Sequence, residues 1–259
     1  MVLFMKRVHL FELEDMSWFP AWLRDCMTRY IAVVHQLVGT HEILAPLIRR
    51  LVEITPSKRL IDLCSGSGGP LPEIVRELQA QGVDFELTMS DLYPNLGTAE
   101  RLASSGIHYE RTPVDATNVH HDGARILICS FHHMKPDLAR AILKNAHDEG
   151  KPLCVFEISD NALPIFLFWL TMPFAFLMVL FLTPKIRPVT WQQIFFTYFV
   201  PIIPVCVAWD AAVSNVRTYT LQDLEELTAG LDEDYRWESG AIDGRAPGKM
   251  LYLFGQPSS

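Results

Sequence analysis

The chain has 259 residues, 49% apolar and 20% charged, which excludes general disorder and leaves room for one large packed domain or two small ones. Its 22 Lys and Arg against 30 Asp and Glu leave a net charge of −8, not the basic footprint of a duplex-binding protein, so nucleic acid is not an expected partner. Five widely spaced cysteines (Cys26, Cys64, Cys129, Cys154, Cys206) form no CxxC pair and no Cys/His ligand spacing, which points to reduced thiols and no metal site.

Met1 to Arg7 has no long apolar core behind a basic start and does not read as a secretory signal. Residues 1–56 read as helical. Leu23, Met27, Tyr30, Ile31, Val34, Leu37 and Val38 recur at helical spacing, and Gly39 and Pro46 divide the segment into two or three helices. Trp18, Phe19 and Tyr30 either pack there or line a substrate pocket.

Strands and helices then alternate. Arg59–Cys64, Phe85–Asp91, His108–Arg111, Arg125–Ser130 and Leu153–Ile158 read as strands, with helices at Leu71–Gln81, Asn95–Ser104 and Pro136–Ala146 between them. That alternation is the pattern of a parallel sheet with crossover helices. Further on, Thr220 and Asp223 form a box-like cap for a helix reaching Leu231. Two closing strands, Tyr235–Ile242 and Lys249–Phe254, read as an antiparallel hairpin.

The densest chemical signal is Asp62-Leu63-Cys64-Ser65-Gly66-Ser67-Gly68-Gly69, leaving the first strand. Glycines there let main chain approach a ligand where a Cβ would collide. Asp91-Leu92 follows at the end of the second strand, Asp91 standing 23 positions after Gly68, where a carboxylate can accept both hydroxyls of a ribose. Ser130-Phe131-His132-His133 closes the fourth strand, at the ligand-binding end of an open α/β sheet, and histidine titrates near neutrality.

These residues resemble class I S-adenosylmethionine-dependent methyltransferases. The resemblance covers roughly residues 58–158 by motif and 218–256 by topology. The family's first motif carries an acid and then three glycines at alternate positions. Here Asp62 is the acid, Gly66 and Gly68 match the second and third glycines, and Cys64 replaces the first. The resemblance implies that Asp62 orients the turn or the methionine amine, that Asp91 binds the ribose, and that Asp115-Ala116 contacts adenine. It also implies that Cys64, Ser65, Ser67, Leu92, Ser130 and Phe131 border the donor, with His132 and His133 over the transferable methyl as base or substrate-orienting groups. The base-amino methyltransferase motif, Asn/Asp-Pro-Pro-aromatic, does not follow the fourth strand, in keeping with the charge argument.

One compositional feature stands apart. Between Asp160 and Asp210 only Lys185 and Arg187 are charged; Leu163–Thr183 holds 17 apolar residues of 21, and Val189–Ala208 holds 14 of 20. Two such segments fit a transmembrane hairpin by length. Against that, Lys185 and Arg187 would face away from the cytoplasm, and Pro164, Pro173, Pro184, Pro188, Pro201 and Pro204 break the helices. The other reading is an apolar cap over the substrate, or an interfacial element anchored by Trp169, Trp191, Tyr198 and Trp209. Asp210 and Arg217 beyond it form an ion pair or a pocket rim.

The expected architecture is α/β: a doubly wound, mostly parallel seven-stranded sheet of the Rossmann-like methyltransferase kind. It has N-terminal helices over 1–56, a donor-binding domain over 57–160 and 210–259, and an apolar helical insertion over 161–209 after the fifth strand. The expected activity is methyl transfer from S-adenosylmethionine to a small or lipid-like apolar acceptor, without metal, in the cytoplasm or at the inner face of the membrane. The competing reading is a non-catalytic, membrane-associated scaffold or sensor on the same fold; the joint presence of Asp62, Gly66, Gly68 and Asp91 speaks against it.

Overall fold

Strands covered on both faces are written as continuous apolar runs, and the central strands here follow that rule. In the computed structural model, which describes residues 5–103, 106–162, 164, 167–245 and 248–258, β1 (Arg59–Asp62), β4 (Ala124–Ile128) and β5 (Leu153–Glu157) lie side by side in one sheet. Met1 to Phe4, Ser104, Leu163 and Ala246-Pro247, on which parts of the sequence reading fall, lie outside the described residues. On one side the sheet continues through β2 (Glu86–Met89) and the two-residue β3 (His108–Tyr109), on the other through β7 (Lys249–Pro257) and β6 (Tyr235–Asp243). The order is β3-β2-β1-β4-β5-β7-β6, with β1, β2, β3, β4 and β5 parallel and β7 antiparallel to both β5 and β6. This is the mixed seven-stranded sheet and terminal hairpin expected from the sequence.

Adjacent residues of one strand feed opposite layers. Leu60 packs with Ile48 and Leu51 of α2 (Thr40–Ile54), Ile74 of α3 (Leu71–Ala80) and Leu102 of α4 (Leu96–Ala103). Ile61 packs with Ile142 and Leu143 of α5 (Pro136–Asp148) and with Leu224 and Leu227 of α9 (Leu221–Thr228). Each fully buried Leu or Ile side chain contributes about 1.5–3 kcal/mol, so these two layers hold the sheet between them. The expected capping box of α9 forms: the Thr220 hydroxyl accepts from Asp223 N, and the Asp223 carboxylate accepts from Thr220 N.

Before the sheet, α1 (Ala21–Val38) ends at Gly39, whose left-handed backbone (φ 76°) turns the chain into α2. Pro46 makes no break, contrary to one reading of the sequence. It forfeits one main-chain hydrogen bond inside α2 while buried Leu44, Leu47 and Ile48 keep the helix seated.

After β5 the chain runs through α6 (Phe168–Leu182), α7 (Trp191–Tyr198) and α8 (Ile202–Arg217). An 81° bend separates α7 from α8, so the second apolar segment is not one straight element. Among the described residues, Phe168–Lys185 alone is long and apolar enough to cross a membrane as one helix, and only 22% of it is buried. Helix α8 passes through position 210 without interruption and buries Ala212, Val213 and Val216. Asp210 and Arg217 do not pair with each other. The Asp210 carboxylate accepts from the main-chain N–H groups of Leu13 (2.7 Å) and Glu14 (3.1 Å), and Arg217 turns to Glu12 and Asp15.

Candidate functional site

The carboxyl end of β1 is bound to that of β2 by main chain and serine hydroxyls together. Ser65 N donates to Ser90 O, Ser90 N to Asp62 O, and the hydroxyls of Ser65 and Ser90 both donate to Asp62 O at 2.9 Å. Cys64 stands at φ 59°, in the left-handed region that favours glycine, which accounts for the glycine that the resembling family carries there. Gly68 is also left-handed (φ 96°), and a Cβ on Gly66 would project into open space rather than into protein. The turn therefore offers bare main chain to a neighbouring volume.

Asp91 closes this turn. One carboxylate oxygen accepts from Gly66 N and the other from Tyr93 N, each at 2.9 Å, on a partly exposed side chain whose remaining lone pairs are free for further donors. Asp62 is buried, and among the described residues its Oδ1 has no hydrogen-bond partner. Burial, reinforced by the nearby Asp91 charge, pushes its carboxyl up to about 7 although the Ser65 hydroxyl opposes the shift. Ser67 accepts Arg101 on its carbonyl, and Leu92 is exposed beside Asp91.

The other expected donor contacts divide. Asp115 forms a local turn, its Oδ1 accepting from both Thr117 N and the Thr117 hydroxyl at 2.8 Å. Ala116 and Phe131 point into the apolar layer under α5, so each presents main chain rather than a side chain to the strand ends. Ser130 is buried with its hydroxyl unpartnered among the described residues.

His132 and His133 occupy one turn of 3-10 helix, Phe131–His133, directly after β4. The Glu157 carboxylate at the end of β5 accepts from His132 N at 3.0 Å and meets His132 Nδ1 at 2.8 Å, which directs Nε2 the other way. His133 Nδ1 meets Asp15 Oδ1 at 2.9 Å. The fully buried Glu12 approaches the edges of both rings, 3.9 Å from His132 Nε2 and 3.6 Å from His133 Nδ1. Desolvation, only partly offset by His133 and Arg217, pushes Glu12 up to about 7. Burial would raise Asp15 too, but hydrogen bonds from His133 and Arg217 hold it well below the usual carboxylate range.

A cavity of about 310 Å³ opens beside these rings. Cys129, His132, His133 and Glu157 line its sheet end, Tyr30 and Val34 of α1 one wall, and Val207, Ala211 and Ser214 of α8 the opposite wall. Tyr30 thus meets the cavity while Phe19 is buried in the packing of α1, and Trp18 is exposed. A separate surface groove between α2 and α3, lined by His41, Arg49 and Glu77, lies away from the strand ends.

The sequence reading did not single out Glu12, Asp15 or Glu157, nor Arg7, which donates to the carbonyls of His132 and Arg217 at 2.7 Å. The acidic run Glu12-Leu13-Glu14-Asp15 and an acid at the end of an apolar strand were the available signals.

No family model and no curated protein matches the chain in sequence. Solved structures similar to it include the mitomycin 7-O-methyltransferase MmcR (16% identity, 82% of this chain and 52% of that one, TM-score 0.47). They also include the CurJ carbon methyltransferase (12%, 85% and 54%, TM-score 0.48) and the magnesium protoporphyrin IX methyltransferase ChlM of Synechocystis PCC 6803 (13%, 88% and 86%, TM-score 0.49). A further match, from Rhodobacter sphaeroides, is named as an alcohol dehydrogenase. The chain spans about half the length of the first of these structures. At such identities and scores the matches assign no activity; on its own strand order and its reversed β7, the chain has a seven-stranded mixed sheet with flanking helices, a methyltransferase-like α/β fold.

Proposed function

We propose that the protein is an S-adenosylmethionine-dependent methyltransferase acting on a small or lipid-like apolar acceptor. The observation that carries this reading is a bare, left-handed glycine turn at the carboxyl ends of β1 and β2, together with an apolar-walled cavity at the carboxyl ends of the neighbouring β4 and β5. S-adenosylmethionine, when bound, supplies a methyl group activated on a sulfonium. The residues present fit that donor: Asp62 offers an orphaned buried acceptor to an amine, Asp91 has lone pairs for ribose hydroxyls, and Asp115 stands on the third-strand side for adenine. His132 and His133 belong to the acceptor side, where they orient the nucleophile and favour loss of its proton.

In this reading residues 1–56 cover the site, 57–160 and 210–259 bind the donor, and the apolar 161–209 serves the acceptor. Exposed Trp169, Phe174, Phe181, Trp191 and Phe199 support contact of that segment with a lipid surface on the cytoplasmic side, where the donor is made available. Calorimetric titration with S-adenosylmethionine and its demethylated product tests the reading. Saturable binding of both is expected; neither heat nor a thermal shift with either compound would sink it.

A further inference from the structure

Behind the cavity, two imidazoles and a carboxylate converge without a hydrogen bond to join them. Glu12, His132 and His133 each bring a ligand atom within 4.8 Å of the others. Glu12 is 0% exposed, and neither of its oxygens has a hydrogen-bond partner among the described residues. Arg217 Nη1 approaches Glu12 Oε1 at 3.1 Å, outside hydrogen-bonding alignment, and spends its aligned bonds on Asp15 (2.8 Å) and the His133 carbonyl (3.0 Å). A buried carboxylate left in that condition costs free energy unless a cation completes its surroundings.

We propose that Glu12, His132 and His133 hold a divalent first-row transition-metal ion whose open coordination positions face the acceptor cavity. Two imidazole nitrogens and one carboxylate suit such an ion better than magnesium or calcium, which prefer oxygen. Ligand atoms around a four-coordinate ion at ~2.0–2.2 Å lie roughly 3.3–3.5 Å apart. Here the three ligand atoms lie within 4.8 Å of one another, with Glu12 Oε2 3.6 Å from His133 and Glu12 Oε1 3.9 Å from His132, and ligation would draw them together.

The surrounding contacts are those of a metal-binding histidine. His132 meets Glu157 through Nδ1, which fixes its ring and frees Nε2 for a metal. His133 differs: its Nδ1, the atom nearest Glu12, is bonded to Asp15 and would give up that bond on ligation, while Asp15 keeps Arg217. The carboxylates Glu12, Asp15 and Glu157 outnumber the guanidiniums Arg7 and Arg217 here, so a cation relieves an excess of negative charge. Because His132 and His133 also line the cavity, the ion would draw an acceptor oxygen into place and lower its pKa. This last step rests on the acceptor role given to the histidines above; metal binding itself does not.

Titration of the chelator-treated full chain with Co²⁺, followed by visible absorption and calorimetry, tests the site. One equivalent per chain is expected, competed by Zn²⁺. Glu157→Gln should weaken it about 10–100-fold, and Glu12→Gln and His133→Gln at least as much. His120→Ala, on the surface, should leave it unchanged. Because Glu12 is buried, the half-buried His133 provides the second variant if Glu12→Gln fails to fold. No saturable binding at millimolar Co²⁺, or binding that Glu12→Gln and His133→Gln both leave intact in folded protein, overturns the proposal. Donor titration on the same samples separates the two readings: Co²⁺ bound without S-adenosylmethionine binding removes the methyltransferase reading and leaves the metal site standing.

Discussion

Asp62 and Asp91 sit at the ends of neighbouring strands yet meet opposite conditions. Asp91 is partly exposed and takes two main-chain donors, whereas Asp62 is buried with one oxygen orphaned. Asp91→Ala should weaken S-adenosylmethionine binding by about 1.5–3 kcal/mol, the scale of hydrogen bonds to a charged group, as read by calorimetry. For Asp62 the sign is set by its raised carboxyl. A group whose pKa climbs from 3.8 to about 7 on folding favours the folded state below pH 3.8, and that contribution is lost as the pH rises through 7. Asp62→Asn should therefore raise Tm by a few degrees at pH 8, with no gain at pH 3, while losing donor affinity. An unchanged Tm at pH 8 would remove the burial argument.

At the scale of elements, α8 was legible as apolar but not as a wall. The apolar segment 161–209 was expected to cap the acceptor, yet among its described residues Val207 alone lines the cavity, together with Ala211 and Ser214 further along α8. Phe168 instead packs against Ala212, Val213 and Val216. Ala211→Trp should fill the cavity and lower acceptor turnover at least about tenfold, with donor affinity unchanged by calorimetry, since overpacking falls on the acceptor side alone. The corner between α1 and α2 carries a second prediction. Burial lowers His35 from 6.5 to about 4, so its contribution to stability is complete above pH 6.5 and is lost as the pH falls through 4. Across that window the wild type should lose roughly 3 kcal/mol relative to His35→Gln, measured by urea unfolding at several pH values.

For the whole molecule, the charged and apolar surfaces are segregated. Helices α6 and α7 and the residue that follows α7 expose Trp169, Leu170, Phe174, Phe181, Trp191 and Phe199, a concentration of large apolar side chains in one stretch of chain. If this face meets lipid, the protein should float with phospholipid vesicles. The triple variant Phe174→Glu, Phe181→Glu, Phe199→Glu should stay at the bottom of the gradient while binding donor normally. Equal flotation of both proteins would contradict the assignment of this face.

The alternation of strands and helices, the glycine turn, Asp62 and Asp91 and the closing hairpin could all be read from the sequence, because periodicity and turn chemistry act over a few neighbouring residues. Cys64 was legible too: its left-handed backbone is the requirement that a glycine usually meets at that place. The roles of Glu12 and Arg217 were not. Asp15 reaches Arg217 across 202 residues and His133 across 118, and no local pattern encodes which of many carboxylates will be drawn beneath which histidine. Likewise an apolar run specifies burial or lipid contact without specifying a fold: Pro201 marked the break between α7 and α8, but the 81° angle there, and with it the cavity wall, was decided only when those helices packed against α1 and the strand ends.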